Sequence, residues 1–180
     1  MQAKSDKTHI TGAQPKNNLD KCIIYIGNIL SGLFVITAII IVFEIVARYV
    51  FDSPTFWVHE TTTLLCAVLF LYGGPYCIAK DSHIRIVLIY DAVSKKTKRI
   101  LNIFISTITI IYLCALSWAA LQVAERALFA PWGDFRPETS GSAWDPALPA
   151  VVKTVLFIIL IAMVVQSILH LISHIKQEAK

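Results

Sequence analysis

The sequence has little charge for its length: Asp, Glu, Lys and Arg make up 16% of its 180 residues, whereas soluble domains carry about 25%. Its four cysteines show none of the short spacings that zinc and redox motifs use. It also lacks a phosphate-binding glycine loop, a calcium-binding loop and any nucleophile placed beside a base. These absences argue against the common enzyme classes, and a net charge of +4 is not by itself a nucleic-acid signal.

What the sequence has instead is long apolar runs, with 56% of its residues hydrophobic. A helix needs about 20 mainly apolar residues to cross the ~30 Å hydrocarbon core of a membrane. Four runs are long enough: residues 22–47, 61–79, 100–124 and 151–175. Strands of a membrane barrel would alternate apolar and polar residues, and runs such as residues 36–43 do not. The sequence therefore predicts an all-α integral membrane protein with four transmembrane helices.

The basic residues indicate the orientation of these spans. Twelve of the sixteen lysines and arginines lie in the first 21 residues, in the segment 80–99, and after residue 175. Basic residues stay on the cytoplasmic side, so both termini are predicted to be cytoplasmic. The remaining segments follow: residues 1–21 are a polar, largely disordered cytoplasmic tail rather than a cleaved signal, 80–99 a cytoplasmic loop with an amphipathic segment, 125–149 a periplasmic loop, and 176–180 a cytoplasmic tail.

Two acidic residues near the outer membrane edge are candidates for polar contacts. Glu44 lies one turn before Arg48, at the i,i+4 spacing of an ion pair. Because charges inside a membrane are costly, Glu44 could serve as a proton or cation site, but an interfacial ion pair or a contact with a partner subunit is the favoured interpretation. Glu60 opens the second span, where a carboxylate complements the helix dipole. We expect it to reach Arg48 across the hairpin as a structural clamp.

The histidines do not indicate a cofactor. His170 and His174 have the i,i+4 spacing of metal ligands, but no third ligand is near in sequence, and we interpret them as a solvated interfacial pair. A haem would need histidines deep in two spans, which the sequence does not offer. We therefore expect no catalytic, cofactor-binding, metal-binding or substrate-binding residue. A transporter acting alone would show polar sites at mid-membrane, and these spans hold few polar groups, so an accessory subunit is predicted.

Small residues indicate where helices approach one another. Gly73, Gly74 and Pro75 lie near the inner end of the second span, where a kink or a close helix contact would explain them. Two pairs of small residues have the spacing of four that favours helix contacts: Gly27 with Ser31, and Ala115 with Ala119. The contacts could lie within the chain or with a partner. The cysteines are interpreted as small apolar fillers.

The segment from Arg48 to Arg85 carries a family resemblance. Its motifs, in order, are Arg48-Tyr49-Val50-Phe51, Trp57, Glu60, the glycine pair Gly73-Gly74 and His83-Ile84-Arg85. In this order and at these span edges they resemble the small membrane subunit of tripartite ATP-independent periplasmic (TRAP) transporters, and the resemblance covers roughly residues 22–175. One departure is Val87, which stands where the family commonly places an aspartate; the nearest one here is Asp91.

The resemblance implies a role in secondary transport across a bacterial inner membrane. In such systems a periplasmic binding protein captures an organic anion, and a large membrane subunit transports it with a sodium gradient. The small subunit packs beside the large one within its static scaffold, surrounded by the lipid bilayer. The residues then expected to shape the hairpin or the partner interface are Glu44, Arg48, Trp57, Glu60, Gly73, Gly74, His83 and Arg85.

Two other functions remain open from the sequence. The chain could be a membrane anchor or assembly subunit of a respiratory or other redox complex, although the missing histidine pair argues against it. It could also be a self-sufficient small transporter, for which Glu44 and Gln122 are the polar candidates. Neither alternative calls for a nucleic-acid partner.

Overall fold

The computed structural model describes residues 17–80 and 95–177, and this part of the chain is helical apart from its connecting segments. The helices are α1 (Asn18–Tyr49), α2 (Val58–Ala79), α3 (Lys95–Leu128) and α4 (Leu148–Gln177). All four contain a stretch long and apolar enough to cross a membrane. The four-helix fold expected from the apolar runs is therefore confirmed. His83, Arg85 and Val87, together with the predicted amphipathic segment, lie outside the described residues.

The helices pack mainly as neighbours in the order α1, α2, α4, α3, so α2 and α4 form the inner pair. The start of α1 meets the end of α4 through Asp20 and His170. We call this the terminal end of the domain. At the opposite end, Glu60 of α2 bonds Ser140 of the α3–α4 connection, and we call this the loop end.

The helices extend beyond the predicted spans. α1 has 32 residues, about 48 Å at 1.5 Å per residue, which exceeds the ~30 Å hydrocarbon core. α3 begins at Lys95, so the predicted loop 80–99 is helical in its last residues. α4 begins at Leu148, and Pro149 therefore lies in the first turn, where its missing N–H costs no hydrogen bond. The helices continue into polar residues at the start of α3 and through Pro149 at the start of α4, whereas the predicted spans followed apolar composition alone.

α3 and α4 pack through a stripe of mostly small residues. The buried residues of α3 recur at spacings of four and three: Leu113, Ser117, Ala120, Ala124 and Ala127. Small side chains let two membrane helices approach closely. Leu113 and Ala120 cluster with Leu160 of α4. The predicted pair Ala115 and Ala119 lies on the exposed surface of α3 instead, so these two residues do not contact another helix of this chain.

Most of the apolar helix surface is not covered by the chain itself. In the most apolar 18-residue stretch of each helix, the buried share is 6% for α1, 11% for α3 and 22% for α2 and α4. The four cysteines are free and exposed, so their interpretation as packed fillers is wrong. They lie on the outer faces of the helices. Surfaces of this kind require lipid or another protein around them.

Candidate functional site

The loop end is organised around the Glu44 carboxylate. Its Oε1 accepts hydrogen bonds from Arg48 Nη2 at 2.6 Å and Nε at 3.1 Å, which confirms the ion pair predicted from the i,i+4 spacing. Its Oε2 accepts from the Thr55 backbone N–H at 3.2 Å and from the Thr55 hydroxyl. The Glu44 side chain is 13% exposed and that of Arg48 is 50% exposed. Glu44 thus joins the last turns of α1 to the segment that leads into α2.

Trp57 joins the same segment to α1 by ring contact. Its indole stacks on Phe43, with ring centroids 6.5 Å apart. Its carbonyl oxygen accepts a hydrogen bond from the Thr61 hydroxyl at 2.9 Å in the first turn of α2. The part of the connection that precedes α2 is therefore held to α1 through Thr55 and Trp57.

Glu60 does not reach Arg48, and this part of the prediction is wrong. The Ser140 hydroxyl donates to Glu60 Oε1 at 2.6 Å, so Glu60 joins α2 to the α3–α4 connection. Val58 and Thr62 face α1, where they line a cavity with Glu44. At 3.6 residues per turn, Glu60 lies about 200° from each of them on the helix. Its side chain consequently lies on the face of α2 that points away from α1.

The connection that receives Glu60, residues 129–147, has hydrogen bonds of its own. The Glu138 N–H donates to the Ala127 carbonyl at 2.7 Å and the Arg136 N–H to the Leu128 carbonyl at 2.9 Å, which returns the chain to the end of α3. The Glu138 carboxylate also pairs with Lys153 of α4. The predicted periplasmic loop is therefore an ordered segment attached to three helices.

The cavity between α1 and α2 at the loop end is small. Its volume is about 160 Å³, and its polar lining comes from Glu44, Arg48, His59 and Thr62. Small-molecule sites usually measure about 300–1,000 Å³. Both carboxylate oxygens of Glu44 already accept hydrogen bonds. The Glu44 carboxylate is therefore engaged in holding Arg48 and Thr55, beside a cavity smaller than the usual small-molecule site.

The glycines of α2 separate into one that is packed and one that is open. A Cβ on Gly74 would lie 3.0 Å from the sulfur of Met163 in α4, whereas a Cβ on Gly73 would meet nothing within 4 Å. α2 continues through Pro75 to Ala79. Of the two explanations offered for this segment, a close helix contact accounts for Gly74.

A buried polar cluster lies at the terminal end. The side chains of Asp20 and Gln166 are fully buried, and the side chain of His170 is 12% exposed. Gln166 Nε2 donates to Asp20 Oδ1 at 2.8 Å and to the Pro75 carbonyl at 3.2 Å. His170 Nε2 lies 2.8 Å from Asp20 Oδ2. We call Asp20, Gln166 and His170, with the Pro75 carbonyl, the terminal-end cluster.

This cluster corrects the interpretation of His170 as a solvated interfacial residue. Asp20 belongs to the first turn of α1, which composition alone assigned to the polar tail. A signal for it was present: Gln166 and His170 have i,i+4 spacing and so share one face of α4. The side chain of His174 is outside the described part of the structure. No group of three or more His, Cys, Asp or Glu residues that could hold a metal ion occurs within residues 17–80 and 95–177.

Removing the Glu44 carboxylate is expected to loosen the α1–α2 connection without unfolding the helices. Glu44→Ala takes away the acceptor of Arg48 and of both Thr55 donors. We expect roughly tenfold faster hydrogen exchange in residues 50–56. Thr55→Val should reproduce part of the effect, and Glu125→Ala, which changes an exposed acid of α3, should have none. Unchanged exchange in Glu44→Ala would contradict this function of Glu44.

These contacts define a class of protein. The chain is a multi-pass helical membrane protein whose polar side chains join helix ends and connections, while its helix faces stay apolar and largely uncovered. Residues 37–177 match the family described as tripartite ATP-independent periplasmic transporters, DctQ component. The chain therefore belongs to the DctQ family, the small permease component of TRAP transporters. No curated protein matches the chain.

Proposed function

We propose that this chain is the accessory membrane subunit that packs beside the large membrane subunit of a TRAP transporter and enlarges its static scaffold. The observation that carries the proposal is the family match over residues 37–177. The small buried share of the four apolar stretches supports it, because such helices accept a protein neighbour as readily as lipid. The family match gives no support to the alternative of a membrane anchor for a redox complex.

In this proposal the partner proteins, and not this chain, bind and move the substrate. A periplasmic protein captures an organic anion and delivers it, and the large subunit moves it with a sodium gradient. Sites for ions and substrates in transporters lie at mid-membrane, where helices are broken. In contrast, α2 continues through Pro75, and Glu44 is bonded on both oxygens. We therefore assign no transport step and no catalytic activity to this chain.

The orientation and the interface complete the proposal. We place both termini in the cytoplasm and residues 129–147 in the periplasm, because twelve of the sixteen basic residues lie in the segments on the terminal side. The membrane is the inner membrane of a bacterium. Glu44, Arg48, Trp57 and Glu60 shape the loop end, and Gly74 the helix packing. For Gly73, which is open to the outside, and for His83 and Arg85 we propose a part in the partner interface.

Purification from native membranes tests the function. A tagged copy of this chain is expected to bring down a large multi-span protein of the TRAP type, identified by mass spectrometry, and an unrelated tagged four-span protein is not. In liposomes this chain alone should give no sodium-driven uptake of organic anions. Uptake by the chain alone would overturn the accessory assignment, and recovery of a haem or iron–sulfur protein instead of a transporter would favour the redox alternative.

A further inference from the structure

We propose that the terminal-end cluster fixes the rotation and the axial position of α1 relative to α2 and α4. The proposal concerns the packing of this chain itself and does not depend on the proposed transport function. Asp20 also precedes residues 37–177, the part of the chain that matches the family. The cluster therefore joins a residue outside the matched part to two residues within it.

The hydrogen bonds of the cluster connect α1 to α4, and α4 to α2. Gln166 Nε2 donates to two acceptors, Asp20 Oδ1 and the Pro75 carbonyl, which sets the orientation of the amide. Asp20 Oδ2 accepts from the Asn17 backbone N–H at 3.2 Å. His170 Nε2 lies 2.8 Å from the same oxygen, so Asp20 Oδ2 is shared between the start of α1 and the end of α4. The three side chains are thus joined to one another through both Asp20 oxygens and Gln166 Nε2, while Gln166 Oε1 has no hydrogen-bond partner among the residues that the structure describes.

Few side chains of α1 other than Asp20 are buried against the neighbouring helices. Its only buried residues are Asp20, Ile23 and Thr37, and the Thr37 hydroxyl bonds within the helix, to the Leu33 carbonyl at 2.7 Å. Apolar side chains gain little by facing a helix instead of lipid. Turning α1 by one residue would rotate its face by about 100°, and sliding it by one turn would move it about 5.4 Å. Apart from the close approach of Gly27 to Tyr72 and Tyr76, apolar contacts discriminate weakly against either change.

Polar contacts discriminate strongly against the same changes. Either movement would take Asp20 away from the Gln166 amide and the His170 ring, and leave the buried carboxyl group with only the Asn17 backbone N–H. A buried polar group that loses its hydrogen bonds costs more than a lost apolar contact. Two further polar contacts of α1 with α2 lie at the same end. Tyr72 donates its hydroxyl to the Ile23 carbonyl at 3.0 Å, and Tyr76 donates to Asn28 Oδ1 at 3.2 Å. The Asp20 side chain is the member of this set that reaches α4.

A buried polar cluster that determines where a helix lies responds to substitution differently from one that only stabilises the fold. Replacing a buried ion pair by apolar residues of similar volume is often neutral or stabilising, whereas removing one partner is destabilising. A triple variant, Asp20→Leu with Gln166→Leu and His170→Leu, removes the three polar side chains together, so that none of them is left without its partner. We expect it to stay folded, with a Tm close to that of the native chain, and to lose the single placement of α1.

Distance measurements between spin labels test this. Cys22 in α1 is exposed and is kept as one labelling site, while Cys66, Cys77 and Cys114 are changed to serine. Ile172→Cys in α4, also an exposed position, provides the second label. The native cluster should give one narrow distance distribution. In the triple variant the ratio of the native distance to all others should fall roughly tenfold.

Matched variants separate the cluster from general effects of the substitutions. Gln122→Leu and His59→Leu change exposed residues of the same types and should leave the distance distribution narrow. His170→Gln keeps an N–H donor and should lie nearer to the native distribution than His170→Leu does. A narrow native distance in the triple variant would overturn the proposal. A triple variant that does not fold would overturn it as well, because the cluster would then be needed for stability and not only for placement.

Discussion

Replacing Gly27 by alanine is expected to destabilise the domain, although alanine is the better helix former. A Cβ at this position would lie 2.8 Å from Tyr76 Cε2, closer still to Cδ2 of the same ring, and 3.3 Å from Tyr72 Cε1. Neither ring moves away freely, because both hydroxyls are bonded to α1 and Lys80 lies over the Tyr76 ring. Overpacking of this kind costs about 1–3 kcal/mol.

Gly32 provides the matched control in the same helix. A Cβ on Gly32 would meet nothing within 4 Å, so Gly32→Ala should gain the helix propensity of alanine, up to about 1 kcal/mol. Thermal unfolding of the two variants in one detergent should therefore shift Tm in opposite directions. Equal shifts would show that the close contact between Gly27 and the two tyrosines does not limit the packing of α1 on α2.

Replacing Ala124 by leucine is expected to separate α3 from α4. Ala124 is buried within the stripe that also holds Ala120 and Ala127, and α3 and α4 share the most extensive helix contact of the domain. A leucine there has no space unless the helices move apart, which costs about 1–3 kcal/mol and sometimes more. The loss should appear as a lower Tm and as faster hydrogen exchange at the loop end of α4.

Ala119→Leu is the control for this substitution. Ala119 lies on the exposed face of the same helix, so the added side chain should change the Tm of the isolated chain very little. A large loss of stability in Ala119→Leu, or none in Ala124→Leu, would mean that the wrong face of α3 had been assigned to α4. The two variants therefore test which face of α3 packs against α4 and how closely it packs.

The local features of this fold follow from the sequence. The four helices were predicted because a membrane requires long apolar runs, and the Glu44–Arg48 pair because residues four apart meet on any helix. The helix ends differ from the predicted ones where the helix continues into polar residues, as at Lys95, or through a proline, as at Leu148 and Pro149. None of these features depends on which faces of the helices pack against one another.

The contacts between helices could not be predicted from the sequence, because they depend on which face of each helix packs against its neighbours. Glu60 was assigned to Arg48 by closeness in sequence, but the start of α2 turns it toward Ser140, 80 positions away. Ala115 and Ala119 have the correct spacing for a contact, yet the buried stripe is set by Ala120, Ala124 and Ala127. Spacing identifies a face, and only the packing of the whole domain decides which face is covered.

The separation of Asp20 from its partners has a consequence for the order in which the domain is completed. Gln166 and His170 follow Asp20 by 146 and 150 positions, so a growing chain makes the carboxylate first and its partners last. During insertion of α1, α2 and α3, Asp20 has only the donor of its own first turn, Asn17. The terminal end therefore closes last in biosynthesis, and a chain that stops before α4 keeps a carboxylate with no buried partner.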